Sequence, residues 1–162
     1  MKKVLITGVN GFVGSNIANY MVEKGYDVVG LYRRKVDRYN SKIRYVQCDL
    51  SEPIQLKEHF DVVIHLASQV ENAQVYDYVV NTTMATANLI SYCENVKVDF
   101  FILASSIAIY GETDIEVDES SDRKNVEPYG MAKIFAEQLL MNSSIPTKII
   151  LRLPRVLGVG AD

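Results

Sequence analysis

Tryptophan is absent from this 162-residue chain, and cysteine occurs only at Cys48 and Cys93, far apart and without metal-ligand spacing. That scarcity excludes a disulfide framework and a cysteine-built metal site, and the two thiols read as reduced, partly buried side chains of a cytoplasmic protein. Proline is scarce too, at 4 residues, and no linker, low-complexity stretch or internal repeat divides the chain, so one domain is expected. No apolar run reaches membrane-spanning length. Met1-Lys2-Lys3 leads into a short apolar run and a glycine loop, not into the apolar core of a signal sequence, so no membrane partner is expected. Lysine and arginine number 17 against 20 acids, for a net charge of −3, and the only basic run is Arg33-Arg34-Lys35. That balance excludes a nucleic-acid footprint. Apolar residues make up 48% of the chain, enough for a sizeable core.

What the chain does hold is concentrated at its start. Val4-Leu5-Ile6 reads as a buried strand that breaks at Thr7-Gly8. Helical periodicity follows from Phe12 to about Lys24, with Val13, Ile17 and Met21 on one face and Ala18 and Val22 beside it. Gly25 falls just past the end, where a helix favours a residue that tolerates a left-handed backbone. Gly8, Gly11 and Gly14 therefore lie between a first strand and a first helix. There, Gly8 permits the tight turn, Gly11 admits a pyrophosphate to the backbone N–H groups, and Gly14 lets the helix lie close on the strand. The helix N-terminus offers donors and a positive dipole end to the anion. A glycine turn that serves packing alone is the alternative. The position between strand and helix favours dinucleotide binding.

Asp27 to Tyr32 reads as a second strand. An NAD-type domain places an acid at its end, to take the adenosine ribose hydroxyls. About 18 residues after Gly14 the chain has Tyr32, then Arg33 and Arg34, with no acid before Asp37. An arginine there can receive a 2′-phosphate through paired hydrogen bonds and stack on adenine, so NADP(H) is expected over NAD(H), with Arg33 as the reader. Ile43 to Leu50 reads as a third strand, and Pro53 as the start of a short helix through Leu56 to Phe60. Asp49, at the strand's carboxyl end, either meets the adenine amino group or caps the next turn. Asp61 to Ser68 reads as a fourth strand, and His65 within it as a satisfied core histidine. A helix from about Val75 to Asn95, a strand from Phe100 to Ser106, a polar acidic loop from Ile107 to Asn125, a helix from Tyr129 to Met141 and a strand from Lys148 to Leu153 complete the chain. The alternation predicts an α/β fold: a doubly wound parallel sheet of about six strands with helices on both faces.

Tyr129 and Lys133 stand four apart on one helix and so project from the same face. An ammonium beside a phenol stabilises phenolate, lowering the tyrosine pKa so that it can exchange a proton with a substrate hydroxyl or carbonyl. Ser106, at the end of the fifth strand, can share that oxygen, with a nicotinamide alongside to move hydride. With the stretches TGVNGFVGS (7–15), CDL (48–50), VVIHLAS (62–68), FILASSIAIYG (101–111), PYGMAK (128–133) and LRLPRVLG (151–158), the chain resembles the extended short-chain dehydrogenase/reductase family of NAD(P)-dependent epimerases and dehydratases. The resemblance implies a Rossmann-type cofactor domain and a nucleotide-sugar or other sugar-like substrate. It also implies Tyr129 as acid/base, Lys133 as its pKa modifier and ribose ligand, and Ser106 as the carbonyl-oxygen partner. Cofactor contacts are implied from Gly8, Gly11, Phe12, Val13, Gly14, Asp49, Leu50, Leu66, Ala67 and Ser68, and a homodimer through the fourth and fifth helices.

Four departures shape those expectations. Family dehydratases carry Asp-Glu after the catalytic hydroxyl residue; here Ile107 and Ala108 have no proton to transfer, which disfavours 4,6-dehydration. Arg155 stands where nucleotide-sugar enzymes usually have Asn. The family's Asn in the fourth helix falls on Thr82, with Asn81 one place away. Extended members continue past the sixth strand into a C-terminal region that binds most of the substrate, whereas this chain stops at Asp162. Residues 1–162 are therefore expected to be an NAD(P)-binding domain truncated before that region, with Val156, Leu157 and Val159 awaiting a cover. An oxidoreductase or epimerase is the leading expectation, and a non-catalytic NADP(H)-binding module the alternative.

Overall fold

The computed structural model describes residues 1–34, 40–70 and 73–158. Lys35, Asp37 and Val159, named above, lie outside the described residues. The elements are β1 (Lys3–Thr7), α1 (Phe12–Glu23), β2 (Asp27–Tyr32), β3 (Arg44–Gln47), β4 (Val62–His65), α2 (Val75–Tyr78), α3 (Ala85–Asn95), β5 (Phe100–Ser106), α4 (Pro128–Met141) and β6 (Thr147–Leu153). A π-helical segment, Val79–Met84, joins α2 to α3, and a 3-10 turn, Ile107–Tyr110, follows β5. The strands form one sheet in the order β3-β2-β1-β4-β5-β6, and every pairing is parallel. This is the doubly wound Rossmann arrangement. The chain winds outward from β1 to β3, then returns to lay β4 on the other side of β1, and a crevice opens at the carboxyl ends where the direction reverses.

A parallel sheet needs cover on both faces, and alternation along each strand supplies two cores. Leu5 joins a cluster with Leu31, Val63, Leu89, Phe101 and Leu140, which seats α3 and α4. Its neighbours Val4 and Ile6 join Val9, Ala18, Val28 and Ile64 on the opposite face, under α1. α1 ends as its sequence suggests. Gly25 has φ +82°, its N–H donates to Val22 O at 3.0 Å, and Tyr26 N–H donates to Met21 O at 3.1 Å, closing a Schellman motif.

Four elements differ from expectation, one being the helix expected from Val75 to Asn95, which the π-helical segment divides into α2 and α3. β3 stops at Gln47 and β4 at His65, short of Leu50 and Ser68. Past Gln47 the chain keeps one bond to β2, Cys48 N–H to Tyr32 O at 2.8 Å, and then turns at Asp49. The helix expected from Pro53 to Phe60 is absent. There Ile54, Leu56, Glu58 and Phe60 turn inward while Gln55, Lys57 and His59 stay exposed, a period of two that suits extended chain and not a helix. Glu58 is held by Lys3 and by Arg44, which fixes this segment along the sheet's amino-terminal side.

The opening loop depends on two close approaches. Gly8 adopts φ +67°, and a Cβ there would lie 2.9 Å from Ala67 N. A Cβ on Gly14 would lie 2.1 Å from the Gly8 carbonyl oxygen, so α1 reaches its seat only with glycine at that point. Gly11 differs, with φ −74° and only Gly8 O nearby at 3.3 Å. Gly14→Ala is expected to cost about 3 kcal/mol in urea denaturation, against about 1 kcal/mol or less for Gly11→Ala. Equal midpoints for the two variants would show that α1 lifts freely from the loop.

Candidate functional site

A cleft of about 580 Å³ opens at the topological switch between β1 and β4. Every expected cofactor residue outside the tyrosine–lysine pair lines it: Gly8, Gly11, Phe12, Val13 and Gly14 from the opening loop, Arg33 from the end of β2, Asp49 and Leu50 after β3, and Leu66, Ala67 and Ser68 after β4. The amino end of α1 faces this space. Gly11, its N-cap, brings no side chain, and the first turn holds no carboxylate, so the positive end of the helix dipole is available to an anion. Asp49 accepts from Ser51 N at 3.0 Å and Ser51 Oγ at 2.8 Å, which lowers its pKa below the usual carboxylate value. It caps a turn while lining the cleft, so both sequence alternatives stay compatible. Val156 also lines the cleft, and a Cβ on Gly158 would lie 2.6 Å from the Phe12 ring, so the segment after β6 folds back over the opening loop. Leu157 beside them is exposed, as is Arg155, which lines neither this cleft nor the one described below.

The floor is pinned by buried hydroxyls. Thr7 Oγ1 accepts from Leu66 N and Ala67 N, both at 3.1 Å, so its own proton goes to His65 Nδ1 at 2.6 Å. That fixes the tautomer. His65 Nε2 carries the proton and donates to Thr86 Oγ1 at 3.0 Å, and Thr86 donates to Thr82 O at 2.6 Å. His65 is a satisfied core histidine, and burial, with the Lys133 charge beyond, lowers its pKa from 6.5 to about 3. Thr82, in the π-helical segment, is buried and holds the loop after β4: its Oγ1 accepts from Gln69 N at 3.1 Å and bonds Ser68 Oγ at 3.1 Å.

The expected catalytic side chains meet at the next strand. Ser106 Oγ accepts from Ala108 N at 3.2 Å, which starts the 3-10 turn. The α4 helix comes close because residue 130 is glycine; a Cβ there would lie 2.3 Å from Ala108 O. Tyr129, one residue earlier, is thereby brought within hydrogen-bond reach of Ser106. Lys133 Nζ lies 5.8 Å from the Tyr129 ring centroid but donates to Ala104 O at 2.9 Å. The expected phenol shift is reversed. Burial raises the Tyr129 pKa and outweighs the Ser106 bond, while the Lys133 ammonium directs one of its N–H donors to the strand. Burial also lowers the Lys133 pKa to about 8, opposed by the Glu137 carboxylate one turn on.

Glu137 was not anticipated from the sequence. It is 2% exposed, yet accepts from Ser105 Oγ at 2.5 Å, from Arg152 Nε and Nη2 at 3.1 and 3.0 Å, and from Arg123 Nη2 at 3.3 Å. Arg152 also donates to the Tyr110 hydroxyl at 2.7 Å. One carboxylate thus ties β5, β6, α4 and the loop after β5 together. Its signal in the sequence was its spacing of four from Lys133, but its partners are remote. Ser106, Ile107 and Ala108 line a second cleft of about 510 Å³ with Glu112 and Asp114 at its rim, whereas Tyr129 and Lys133 line neither cleft. Among the described residues no group of His, Cys, Asp or Glu side chains is placed to hold a metal ion, and no helix is long and apolar enough to cross a membrane.

Comparison with known proteins gives this geometry a context. The sequence profile of the NAD dependent epimerase/dehydratase family matches residues 4–162. The chain belongs to this family. The UDP-glucose 4-epimerase uge1 of Schizosaccharomyces pombe is 32% identical over 161 residues, covering 85% of this chain and 45% of that protein. Among solved structures, the UDP-glucuronic acid 4-epimerase of Bacillus cereus in complex with NAD is similar with a TM-score of 0.84 at 30% identity, over 96% of this chain and 57% of that one. MoeE5 in complex with UDP-glucose and NAD gives a TM-score of 0.86 at 27% identity, over 99% and 56% of the two chains. The chain spans about half the length of the curated relatives it matches.

The buried histidine predicts a pH dependence. With a folded pKa of about 3 against 6.5 for the free side chain, the neutral form's contribution is complete above pH 6.5 and is lost as pH falls from there towards 3. The slope is about 1.4 kcal/mol per pH unit. Nitrogen-15 NMR of the imidazole is expected to show the Nε2-protonated tautomer persisting below pH 5; titration near 6.5 would contradict the burial described here.

Proposed function

We propose that this chain is the cofactor-binding part of an extended short-chain NAD(P)-dependent epimerase or reductase, acting at a hydroxyl or ketone of a sugar-like, nucleotide-linked substrate. The observation that carries this reading is the cleft at the sheet's switch point, with the glycine loop, Asp49 and the end of β4 on its walls. The residues suit a dinucleotide. Gly11 leaves the loop open, and Gly8, Phe12, Val13 and Gly14 present backbone and a helix end to a pyrophosphate. Asp49 and Leu50 sit where adenine would lie, and Leu66, Ala67 and Ser68 continue towards the reacting end. Bound there, the nicotinamide would supply and accept hydride.

The Ser106, Tyr129 and Lys133 set supports catalysis beyond binding. The Tyr129 phenol exchanges a proton with the substrate oxygen, Ser106 donates a hydrogen bond to that oxygen, and Lys133 favours phenolate once its ammonium turns from Ala104 O towards the ring. Ile107 and Ala108 carry no titratable group, which supports epimerisation or reduction over 4,6-dehydration. The relatives' names support a nucleotide-sugar substrate, and its selection falls to the half of those proteins that this chain does not match. We place the protein in the cytoplasm, where the free Cys48 and Cys93 suit a reducing compartment. A homodimer is supported by the exposed Met131, Phe135 and Leu139 of α4 beside Val79 and Met84 on the neighbouring helix.

The preference for NADP(H) over NAD(H) rests on Arg33 alone, which lines the cleft where no described residue of the β2 end offers a carboxylate. The solved relatives named above hold NAD, so the proposed preference draws its support from this chain's own β2 end and not from them. Tyr129 and Lys133 line neither cleft, and Lys133 donates to Ala104 O, which favours a second reading, a dinucleotide-binding module without turnover.

Fluorescence titration with NADPH and NADH separates these outcomes. The wild-type chain is expected to bind, with NADPH preferred; Gly11→Val is expected to weaken both by more than about tenfold with the fold intact. Tyr129→Phe is expected to keep cofactor affinity and lose turnover. No binding to the wild-type chain would refute the cofactor reading, and equal activity in Tyr129→Phe would remove the catalytic assignment. For the dimer, Phe135→Asp is expected to shift the sedimentation coefficient towards monomer, and a wild-type chain that sediments as a monomer at high concentration would exclude it.

A further inference from the structure

The π-helical segment places two neighbouring polar residues on different duties. Thr82 turns inward and is buried against the loop after β4. Asn81 faces the cleft, where its Oδ1 accepts from Arg33 Nη1 at 2.5 Å and its Nδ2 donates to Gln69 Oε1 at 3.4 Å. Arg33 is therefore held across the cleft, from the end of β2 to the helix on the other wall. Its main-chain oxygen is tied down as well, accepting from Gln47 Nε2 at 3.2 Å. A second partner is within electrostatic reach. Asp49 feels the Arg33 charge, which contributes to its lowered pKa.

The choice between those partners matters chemically. A guanidinium paired with a carboxylate is neutralised and has less attraction left for an incoming phosphate. A guanidinium held by a neutral amide oxygen keeps its charge and has four further N–H donors for a dianion. The Asn81 amide is fixed in turn by Gln69, so the acceptor is oriented before any ligand arrives. On the Arg33 role proposed above, we infer that Asn81 is a specificity-determining residue: it holds Arg33 poised for the 2′-phosphate of the dinucleotide and keeps it from pairing with Asp49. No glycine-loop contact is involved, so Asn81 acts on the ratio of the two cofactor affinities and not on dinucleotide binding as such.

The test is a double-mutant cycle on this chain, read as the ratio of NADPH to NADH affinity. Arg33→Ala is expected to lower the ratio by about tenfold or more, the loss of charge-assisted hydrogen bonds. Asn81→Leu is expected to lower it about three- to tenfold, and the double variant to match Arg33→Ala alone. Asn81→Asp, nearly isosteric, is expected to lower NADPH affinity in the same direction by neutralising Arg33, and serves if the leucine variant folds poorly. An unchanged ratio in both Asn81 variants while Arg33→Ala falls would overturn the Asn81 role and leave Arg33 as the reader. Equal weakening of both cofactors by Asn81→Leu would mark a structural residue and also overturn it. A wild-type chain that prefers NADH, or an Arg33→Ala variant with an unchanged ratio, would remove the Arg33 role and this inference together, without touching dinucleotide binding at the glycine loop.

Discussion

The hydroxyl of Thr7 is the point on which the cleft's geometry turns. It ends β1, receives the backbone N–H groups of Leu66 and Ala67, and gives its proton to His65. One oxygen thereby locks the carboxyl ends of two adjacent strands at the place where the sheet reverses direction. Gly8 follows immediately and can approach Ala67 closely only because this lock holds the two chains together. The remaining links run outward through His65 to Thr86, and through Thr82 to Ser68 and Gln69. Each donor in the series has one acceptor, so the polar groups are buried without the penalty that an unmatched one would carry.

A second network does the corresponding work at the far side of the sheet, with charge in place of hydroxyls. Glu137 gathers Ser105, Arg123 and Arg152. A buried carboxylate is tolerable here because its oxygens are filled by charged and neutral donors in good geometry. It stands one helical turn beyond Lys133, and its charge opposes the loss of the lysine proton that burial favours. The two networks bracket β5, whose end carries Ser106. Ser106 and the neighbouring Tyr129 and Lys133 are therefore framed by hydrogen-bonded partners, while the loop from Gly111 onward is largely exposed.

How much of this was legible in the sequence follows from the range of the interactions. β2 and β5 were readable to the residue, because continuous apolar runs are bounded by turn residues on both sides. The residues that the family resemblance implies as cofactor contacts line one cleft, because short stretches at strand ends converge at the switch point. The segment from Pro53 to Phe60 misled, because a proline at a potential helix start outweighed an alternation that only burial makes visible. The pairing of Glu137 with Arg152 gave no local sign, since it joins a helix to a strand that follows it and the spacing of Glu137 from Lys133 does not point to it. The reversed pKa direction at Tyr129 was equally hidden; spacing brings Lys133 to the correct face but says nothing of the burial of the phenol or of the Ala104 carbonyl that accepts from the ammonium.

The π-helical segment Val79–Met84 carries a consequence of its own. Such a turn is an α-helix holding one surplus residue, which rotates everything before it relative to everything after. Asn81 faces the cleft and Thr82 the core from within this segment, so the offset sets where each points relative to α3. Removing a single residue here would restore an ordinary helix and rotate the residues before the deletion by about 100° relative to α3. Both polar side chains would then lose their partners at once, with every amino acid that lines the glycine loop unaltered. The cleft at the sheet's switch point is thus sensitive to the length of this segment, so that a one-residue deletion between Val79 and Met84 would disturb both side chains where a single exchange disturbs one.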